Sequence, residues 1–396
     1  MNPDPQRWAG AAELMKAFAR RTGLAPDGPQ VRYLWTDAFA VCNLLALARG
    51  SGDGSYQELA MRLVDRVHRT LGRHRSDDER TGWLSGLGEA EGALHPTRGG
   101  LRIGKRLTER GPAEPFDEAL EWERDGQYLH YLTKWMQALD QVSRFTGDPR
   151  FNVWARELAE TAFAAFTRRR PGMVRPELAW KMSIDLSRPL VSRAGQHDAL
   201  DGYVTCAQLR ATSTELGSWR SGPSLDEALT GFRDLLDPDG WETTDPLGLG
   251  GLFADAGRVS QLLRRDFPEP ELLAALLGAG CSGLRRYAAR GGPGGLADRR
   301  LAFRELGLAI GLDALGIIRT GARWVPGGTA RLQALLEQID DLVTLAERIR
   351  SFWLLPAHRA TRTWMEHQDI NEVMLATSLL PDGFLRLSPL GAAAPA

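Results

Sequence analysis

GDGSYQELAMRLVDRVHRTL, residues 52–71, aligns with GDPRFNVWARELAETAFAAF, residues 147–166, and both begin with the glycine that closes a preceding apolar stretch. This glycine is suited to end one helix in a left-handed cap, and the following aspartate is suited to cap the start of the next helix. The repeated unit is therefore predicted to be a helical hairpin, and its recurrence indicates an array of hairpins.

Helical periodicity dominates the remaining sequence, whereas alternating runs of Val, Ile and Thr are nearly absent. The pattern predicts twelve helices and no strands. The expected helices cover residues 6–21, 32–49, 55–72, 125–146, 150–168, 196–215, 224–236, 248–265, 269–289, 300–318, 328–351 and 369–380.

The even-numbered predicted helices are the more apolar ones, as in AFAVCNLLALA (38–48) and GLAIGLDALGII (307–318), whereas others carry broad charged faces. A helix that is apolar nearly all round is a buried helix, so six inner helices inside six amphipathic ones are expected. This predicts an all-α fold, the (α/α)6 toroid of six helical hairpins. No Pro/Ser/Gly-rich linker divides the chain, so residues 1–390 are predicted to form a single domain and residues 391–396 a disordered tail.

The totals exclude several classes of partner. Lys and Arg number 49 against 50 Asp and Glu, so no basic surplus favours nucleic acid. Cys42, Cys206 and Cys281 lie far apart outside any CxxC, which argues against a disulfide framework and favours free buried thiols. No signal peptide and no apolar run of about 18 residues is visible, so a soluble, cytoplasmic protein without a membrane partner is expected, with homo-oligomer formation left open.

Each inner helix opens with polar residues, and in a toroid these openings meet at one end, under long connections such as 73–124 and 352–368. Carboxylates that share a helix face beside aromatic rings suit sugar chemistry, because one acid must stay protonated, another must stay ionised, and flat rings stack on sugar faces. The predicted catalytic residues are Asp37, Asp201, Glu372, His130 and His197. The predicted substrate-binding residues are Trp35, Tyr128, Lys134, Trp135, Asp198, Arg304, Glu305, His367 and Asn371.

Structural roles compete with these assignments. Asp198 and Asp245 stand at helix starts, where aspartate is an ordinary cap, and Trp35 and Trp135 also suit core packing. The histidines lack a metal-binding spacing such as HExxH, so neither a metal nor a cofactor is predicted.

The helix openings WTDAF (35–39), DGQYLHYLTKW (125–135) and GQHDALDGY (195–203), with the hairpin turns RGSGDGSY (49–56) and RFTGDPRF (144–151), resemble the six-hairpin glycosidase-like superfamily. That superfamily includes (α/α)6 glycoside hydrolases, unsaturated glucuronyl hydrolases and N-acylglucosamine 2-epimerases. The resemblance covers most of the chain in architecture and style of motif, without the complete catalytic signature of one family. It implies that two inner-helix carboxylates act as general acid and base, drawn from Asp37, Asp198, Asp201, Glu305 and Glu372.

The leading hypothesis is a glycoside hydrolase acting on a saccharide, in which one acid protonates the glycosidic oxygen and a carboxylate activates water or attacks the anomeric carbon. A sugar epimerase or isomerase would instead use histidines, and His197 and His367 open inner helices. A dehydratase or cyclase of alkenols would place Cys42 and Cys206 beside an aromatic cavity, although small buried residues are the simpler interpretation. A non-catalytic binding toroid is the fourth alternative.

The fold prediction is testable by far-ultraviolet circular dichroism. The spectrum should show a helix content well above the roughly one-third that is typical of globular domains, with little strand. A substantial sheet signal would rule out the toroid and the site derived from it.

Overall fold

The computed structural model describes residues 4–24, 31–168, 176–192, 195–265, 267–321 and 329–391. The chain packs as two compact units: unit 1 comprises Met1–Phe18 and Asp237–Leu387, and unit 2 comprises Ala19–Leu236 and Ser388–Ala396. The single domain over residues 1–390 stays a prediction. The predicted tail lies outside the described residues from position 392 onward.

The described residues form eighteen α-helices and five short strands. The helices are α1 (Pro5–Arg21), α2 (Leu34–Ser51), α3 (Gly54–Leu71), α4 (Glu89–Leu94), α5 (Glu118–Glu123), α6 (Leu129–Thr146), α7 (Pro149–Phe166), α8 (Asp198–Glu215), α9 (Asp226–Asp234), α10 (Pro246–Leu262), α11 (Pro270–Ala289), α12 (Ala302–Gly321), α13 (Thr329–Glu337), α14 (Leu345–Leu354), α15 (Pro356–Arg359), α16 (Arg362–Glu366), α17 (Gln368–Leu379) and α18 (Asp382–Leu385). The all-α class is confirmed. Each predicted helix coincides with an observed one, except that the helix expected at 328–351 is divided into α13 and α14.

The prediction of no strands was wrong. The strands are β1 (Gln127–Tyr128), β2 (Thr167–Arg168), β3 (Glu177–Leu178), β4 (Lys181–Met182) and β5 (Pro189–Val191). An antiparallel sheet has the order β1-β4-β5, and β2 pairs with β3. Strands of two or three residues are too short to produce a readable alternation of apolar and polar residues.

Both copies of the repeated hairpin turn have the predicted caps. Gly52 ends α2 with φ 68° and Gly147 ends α6 with φ 74°, which is the left-handed region that favours glycine. Asp53 and Asp148 then cap α3 and α7, since each side chain accepts a hydrogen bond of 2.9 Å from the backbone N–H two residues on. The sequence repeat is therefore a repeat of backbone geometry.

Each unit contains three inner helices with outer helices packed on them. In unit 2, α2, α6 and α8 lie side by side, with α3, α7 and α9 packed on them in that order. In unit 1, α10, α12 and α17 lie side by side, with α11 on α10 and both α13 and α14 on α12. α2 is buried at every position from Leu34 to Ala48, whereas α3 buries only one face. Each unit thus has the inner and outer layers that the predicted helical hairpins require.

Two inner helices of unit 2 are more polar inside than predicted. Asp140 of α6 is fully buried and accepts hydrogen bonds from Asn152 (3.1 Å), Gln208 (2.8 Å) and Thr212 (3.1 Å). Arg144 is fully buried one turn further along. A buried charge is tolerated only when it is paired and hydrogen-bonded, so this network joins α6, α7 and α8 in one arrangement. The prediction that the inner helices are apolar nearly all round is thus confirmed for α2, and it is wrong for α6 and α8.

The long connection 73–124 is held to the residues that precede α6. Asp125 is fully buried, and its carboxylate accepts a 2.6 Å hydrogen bond from Arg102. Gln127, also fully buried, accepts a 2.8 Å hydrogen bond from the backbone N–H of Leu101. This connection is therefore an ordered wall beside the start of α6.

The C-terminal segment packs on unit 2. The Arg144 guanidinium donates to the carbonyl of Ser388 at 3.0 Å, and the Arg144 backbone carbonyl accepts from the backbone N–H of Gly391 at 3.0 Å. Arg49 donates to the Ser388 hydroxyl, also at 3.0 Å. Residues 388–391 therefore belong to the packed part of the chain.

The three cysteines are buried and free, as predicted. Among the described residues, no helix combines the length and the apolar character that crossing a membrane would need.

The hairpin turns provide a test of the fold. Gly52→Ala and Gly147→Ala should each lower the free energy of unfolding by about 1–2 kcal/mol, because an L-residue is strained in the left-handed region. A Cβ would meet nothing within 4 Å at either glycine, so the loss would be purely conformational. Chemical denaturation measures the change.

Gly54→Ala is the matched control, since a Cβ there also meets nothing within 4 Å and Gly54 lies inside α3. This variant should be neutral or slightly stabilising, because alanine favours helix. Equal losses for all three variants would show that the turns do not act as caps.

Candidate functional site

The predicted site residues divide between the two units. Nine lie in unit 2: Trp35, Asp37, Tyr128, His130, Lys134, Trp135, His197, Asp198 and Asp201. Five lie in unit 1: Arg304, Glu305, His367, Asn371 and Glu372. Among the described residues, unit 2 contains a polar cluster at the starts of α6 and α8, and unit 1 holds most of its predicted residues in structural contacts.

The centre of the polar cluster is an ion pair between α6 and α8. The Lys134 ammonium lies 2.8 Å and 2.7 Å from the two carboxylate oxygens of Asp201, and the Thr133 hydroxyl donates to Asp201 at 2.5 Å. Asp201 is nearly buried, whereas Lys134 retains partial access to solvent. Asp201 therefore places a fixed carboxylate inside the cluster, and the Lys134 ammonium lies at its solvent edge.

Asp198 lies one turn before Asp201 on α8 and is also buried. The pKa of Asp198 is raised to about 7, chiefly by burial and to a smaller extent by the charge of Asp201. The 2.8 Å hydrogen bond from the Gly195 N–H and the charge of Lys134 lower this pKa in part. One turn of helix thus carries an ion-paired carboxylate and a carboxyl group that is protonated up to about neutral pH.

His130 lies beside these charges as a neutral imidazole. The pKa of His130 is lowered to about 4, chiefly by burial and next by the Lys134 ammonium, against a smaller opposite effect of Asp201. Its Nδ1 is buried and has no hydrogen-bond partner among the described residues. The ring stacks on Tyr128 with centroids 5.3 Å apart, and lies nearly parallel to Trp180 with centroids 6.1 Å apart. His130 therefore joins the charged cluster to an aromatic wall.

A second part of the wall contains Tyr33 and Tyr131. Their hydroxyls lie 2.6 Å apart, and Tyr131 meets the edge of His130 at a centroid distance of 4.7 Å. Asp37 accepts hydrogen bonds from the backbone N–H of Tyr33 at 3.1 Å and from Arg32 at 3.3 Å. Asp37 is thus buried at the start of α2, where it holds the backbone that carries Tyr33.

The two predicted tryptophans of unit 2 are core residues. Trp135 is fully buried, and its indole N–H donates to His68 Nε2 at 3.1 Å. Burial lowers the pKa of His68 to about 3, so its ring is neutral and can accept this bond. Trp35 packs against Phe39 with ring centroids 4.4 Å apart.

His197 is the residue immediately before α8 and is partly exposed. Its carbonyl accepts a 2.9 Å hydrogen bond from the backbone N–H of Asp201. His197 therefore lies next to Asp198 in the chain, at the edge of the same cluster.

In unit 1, Glu305 forms a closed network. Arg300 donates to both of its carboxylate oxygens, at 2.8 Å and 2.6 Å, and the Trp353 indole N–H donates to it at 2.8 Å. The Arg300 guanidinium also lies 3.7 Å from the ring centroid of Phe352. Paired on both oxygens and buried, Glu305 has the surroundings of a structural acid.

Arg304 donates to Asp245 at 2.5 Å, and Asp245 is itself the N-cap of α10 through a 2.8 Å hydrogen bond from Gly248 N. The cap interpretation of Asp245 is thereby confirmed. Arg304 joins the starts of α10 and α12.

The remaining predicted residues of unit 1 lie at the start of α17. Asn371 accepts from Phe303 N at 3.0 Å and donates to the Trp364 carbonyl at 3.1 Å. Glu372 accepts from Gln368 at 2.9 Å, and the ring of His367 meets the edge of Phe303 at a centroid distance of 5.7 Å. Asn371 therefore connects α16, α17 and the start of α12.

Sequence reasoning missed four residues that line the unit 2 cluster: Tyr33, Tyr131, Thr133 and Trp180. Tyr131 and Thr133 stand in the quoted opening DGQYLHYLTKW, and Tyr33 directly precedes α2. Trp180 directly precedes β4 in the connection between α7 and α8, and the pairing of β4 with β1 places it against Tyr128 at a centroid distance of 4.9 Å. A strand of two residues is too short to be predicted from the local sequence pattern.

No protein-family model matches the chain, and no curated protein matches it by sequence. Among solved structures, the chain is similar to cellobiose 2-epimerase from Spirochaeta thermophila DSM 6192, with 12% identity, a TM-score of 0.47, and coverage of 95% of this chain and 98% of that one. It is also similar to Dfg5 from Chaetomium thermophilum in complex with glucosamine, with 11% identity, a TM-score of 0.34, and coverage of 99% and 94%. Activity and substrate have to be argued from the residues of this chain.

The raised pKa of Asp198 predicts how stability changes with pH. Between about pH 4, where an unfolded aspartate ionises, and about pH 7, the folded chain holds a proton that the unfolded chain has released. The contribution of Asp198 to the free energy of unfolding should therefore fall as pH rises through this window, by at most about 4 kcal/mol. Denaturation of the wild type and of Asp198→Asn at several pH values measures it.

The difference in unfolding free energy, wild type minus Asp198→Asn, should decrease from pH 4 to pH 7 and then level off. Taking the difference cancels His68 and His130, whose lowered pKa values act in the opposite direction. Asp148→Asn, at the exposed cap of α7, serves as the control. A difference for Asp198 that does not vary with pH would show that this carboxyl has an ordinary pKa.

Proposed function

We propose that the protein is a carbohydrate-active enzyme, and specifically a glycoside hydrolase whose acid–base machinery is the Asp198–Asp201–Lys134 cluster of unit 2. The observation that carries the proposal is the presence, on one turn of α8, of a carboxyl group with a pKa of about 7 and an ion-paired carboxylate. Glycoside hydrolysis requires one acid that is protonated and one that is ionised at working pH.

The roles follow from the two environments. Asp198 carries the proton and is the candidate general acid, which would transfer it to the glycosidic oxygen as the bond to the anomeric carbon breaks. Asp201 carries the negative charge and would either take a proton from the attacking water or attack the anomeric carbon itself. Lys134 and Thr133 orient Asp201 through their hydrogen bonds.

The aromatic residues support a sugar as the substrate. Tyr128, Tyr131 and Trp180 surround His130, and pyranose rings present apolar C–H faces that pack on such rings. The buried Nδ1 of His130 has no partner among the described residues, and a neutral imidazole nitrogen can accept a hydrogen bond from a sugar hydroxyl.

The remaining predicted residues take supporting roles in this proposal. Asp37 is a positioning residue, because it holds the backbone of Tyr33. Trp35 and Trp135 stabilise the core, and Glu305 and Asn371 stabilise unit 1. His197 stays a candidate at the edge of the cluster, and Glu372 stays a candidate in unit 1.

A sugar epimerase is the second candidate, and His130 is the observation that favours it. A neutral imidazole with a pKa of about 4, beside Lys134 and Asp201, could accept a proton from a sugar carbon. Incorporation of solvent deuterium at a sugar carbon without bond cleavage would identify an epimerase, whereas new reducing ends would identify a hydrolase.

Substitutions in the cluster test the mechanism. Asp201→Asn and Asp198→Asn should each lower kcat by about 10²-fold or more on a cleaved glycoside, because positioned proton transfer contributes at least that factor. Wild-type activity should decline as pH rises through about 7, when Asp198 loses its proton. The measurements are kcat and its pH profile on a panel of aryl glycosides.

Asp226→Asn is the control, since Asp226 is an exposed carboxylate at the start of α9 in the same unit. It should leave kcat unchanged. Full activity of both Asp198→Asn and Asp201→Asn would remove these acids from the mechanism. A loss of folding, detected by circular dichroism, would make them structural.

A further inference from the structure

Trp122 of α5 is an exposed aromatic residue that adjoins the candidate site. Its side chain is 46% exposed, and its ring meets Trp180 at a centroid distance of 4.8 Å. Trp180 in turn contacts Tyr128 at 4.9 Å and lies parallel to His130. A continuous row of rings therefore leads from the buried cluster to solvent within unit 2. We call Trp122, Trp180, Tyr128 and His130 the aromatic row.

The exposed end of the aromatic row is rigidly held from behind. Lys181, fully buried, donates to the Glu121 carboxylate at 2.9 Å, to the Glu121 carbonyl at 2.7 Å and to the Arg124 carbonyl at 2.8 Å. Arg110 donates to the second carboxylate oxygen of Glu121 at 2.9 Å. These bonds hold the chain at positions 121 and 124, before and after Trp122, so the indole is presented on an ordered backbone.

An exposed indole on a fixed backbone is available to a ligand without rearrangement of the chain. Apolar surface left in water forgoes the stabilisation that burial supplies, and the buried Lys181–Glu121 pair requires good geometry to be tolerated. A ligand that packs on a pre-ordered ring loses little side-chain entropy in binding, which is the condition that favours affinity. The geometry is thus that of a binding platform next to the acid–base cluster.

We infer that Trp122 forms an outer sugar subsite, so that the substrate is an oligosaccharide with at least one pyranose residue beyond the reacting one. The inference rests on the proposed function for the chemistry of the reacting residue. The contacts that join Trp122 through Trp180 to His130 select this occupant, because a sugar chain whose reacting residue lies at the acid–base cluster can extend along the row to the exposed ring of Trp122. A second copy of this chain on the same patch is the competing occupant, and the experiment distinguishes it.

The test measures binding by isothermal titration calorimetry in the Asp201→Asn background, which limits turnover. The probes are cellotriose, maltotriose, mannotriose and triacetylchitotriose, each compared with its own monosaccharide. The variants are Trp122→Ala, Trp122→Phe and Trp219→Ala. Trp219 is the matched control, because it is 55% exposed in the same unit and its ring packs against the Arg220 guanidinium, 4.4 Å from the ring centroid.

At least one trisaccharide should bind more tightly than its monosaccharide. Trp122→Ala should weaken that trisaccharide about tenfold while leaving the monosaccharide unchanged, a size typical of removing an aromatic binding contact. Trp122→Phe should restore part of the affinity, and Trp219→Ala should behave as the parent protein.

Three results would overturn the subsite. The first is a Trp122→Ala variant that binds the trisaccharide as tightly as its parent, and the second is the absence of a trisaccharide preference for every probe. The third is a molar mass in light scattering that is lower for Trp122→Ala than for the parent, which would assign the patch to self-association. The failure of the proposed function is separate, since it would show as full turnover by Asp201→Asn whatever the effect of Trp122.

Discussion

The pairing of buried charges just before α6 is the constraint on which the candidate site depends. Asp125 has no access to solvent, so its charge is tolerated only because Arg102 and Arg75 donate to it at 2.6 Å and 3.3 Å. Those arginines belong to the connection 73–124. The charge of the fully buried Lys181 is likewise tolerated because it is paired with the Glu121 carboxylate. Because leaving either charge unpaired would cost several kcal/mol, the long connection is tied to the sheet that carries Tyr128.

The first two turns of α6 distribute their side chains to different neighbours. Trp135 points into the core toward His68, Lys134 and Thr133 contact Asp201 on α8, and His130 contacts the aromatic row. Helical geometry separates consecutive side chains by about 100°, so a short polar stretch can serve core, catalysis and binding at once. The compact cluster of 125–135 is thus both a structural and a functional feature.

Electrostatics differ between the two groups of predicted acids. In unit 2 the Lys134 ammonium pairs with Asp201, and the neighbouring Asp198 keeps a raised pKa because burial outweighs the hydrogen bond from Gly195. In unit 1 Glu305 is bound on both oxygens by Arg300 and again by Trp353. Unit 2 thus combines an ion-paired carboxylate with a carboxyl group that holds a proton up to about pH 7, which is the combination that glycoside hydrolysis requires. The acid–base chemistry is therefore proposed for unit 2.

The sequence alone determined the helical hairpins, because glycine caps, aspartate caps and the 3.6-residue period are local properties that Gly52, Asp53, Gly147 and Asp148 express within a few residues. It also singled out the polar openings of α6 and α8. Only the tertiary structure decided which acids are paired, as with Glu305, and which keep a proton, as with Asp198. The tertiary structure alone places Trp180 beside Tyr128, through paired strands that are too short to be predicted from the sequence, and it places Trp122 of α5 against Trp180. The reason is that partner choice and burial are set by residues distant in sequence, whereas caps and periodicity are set by neighbours in the chain.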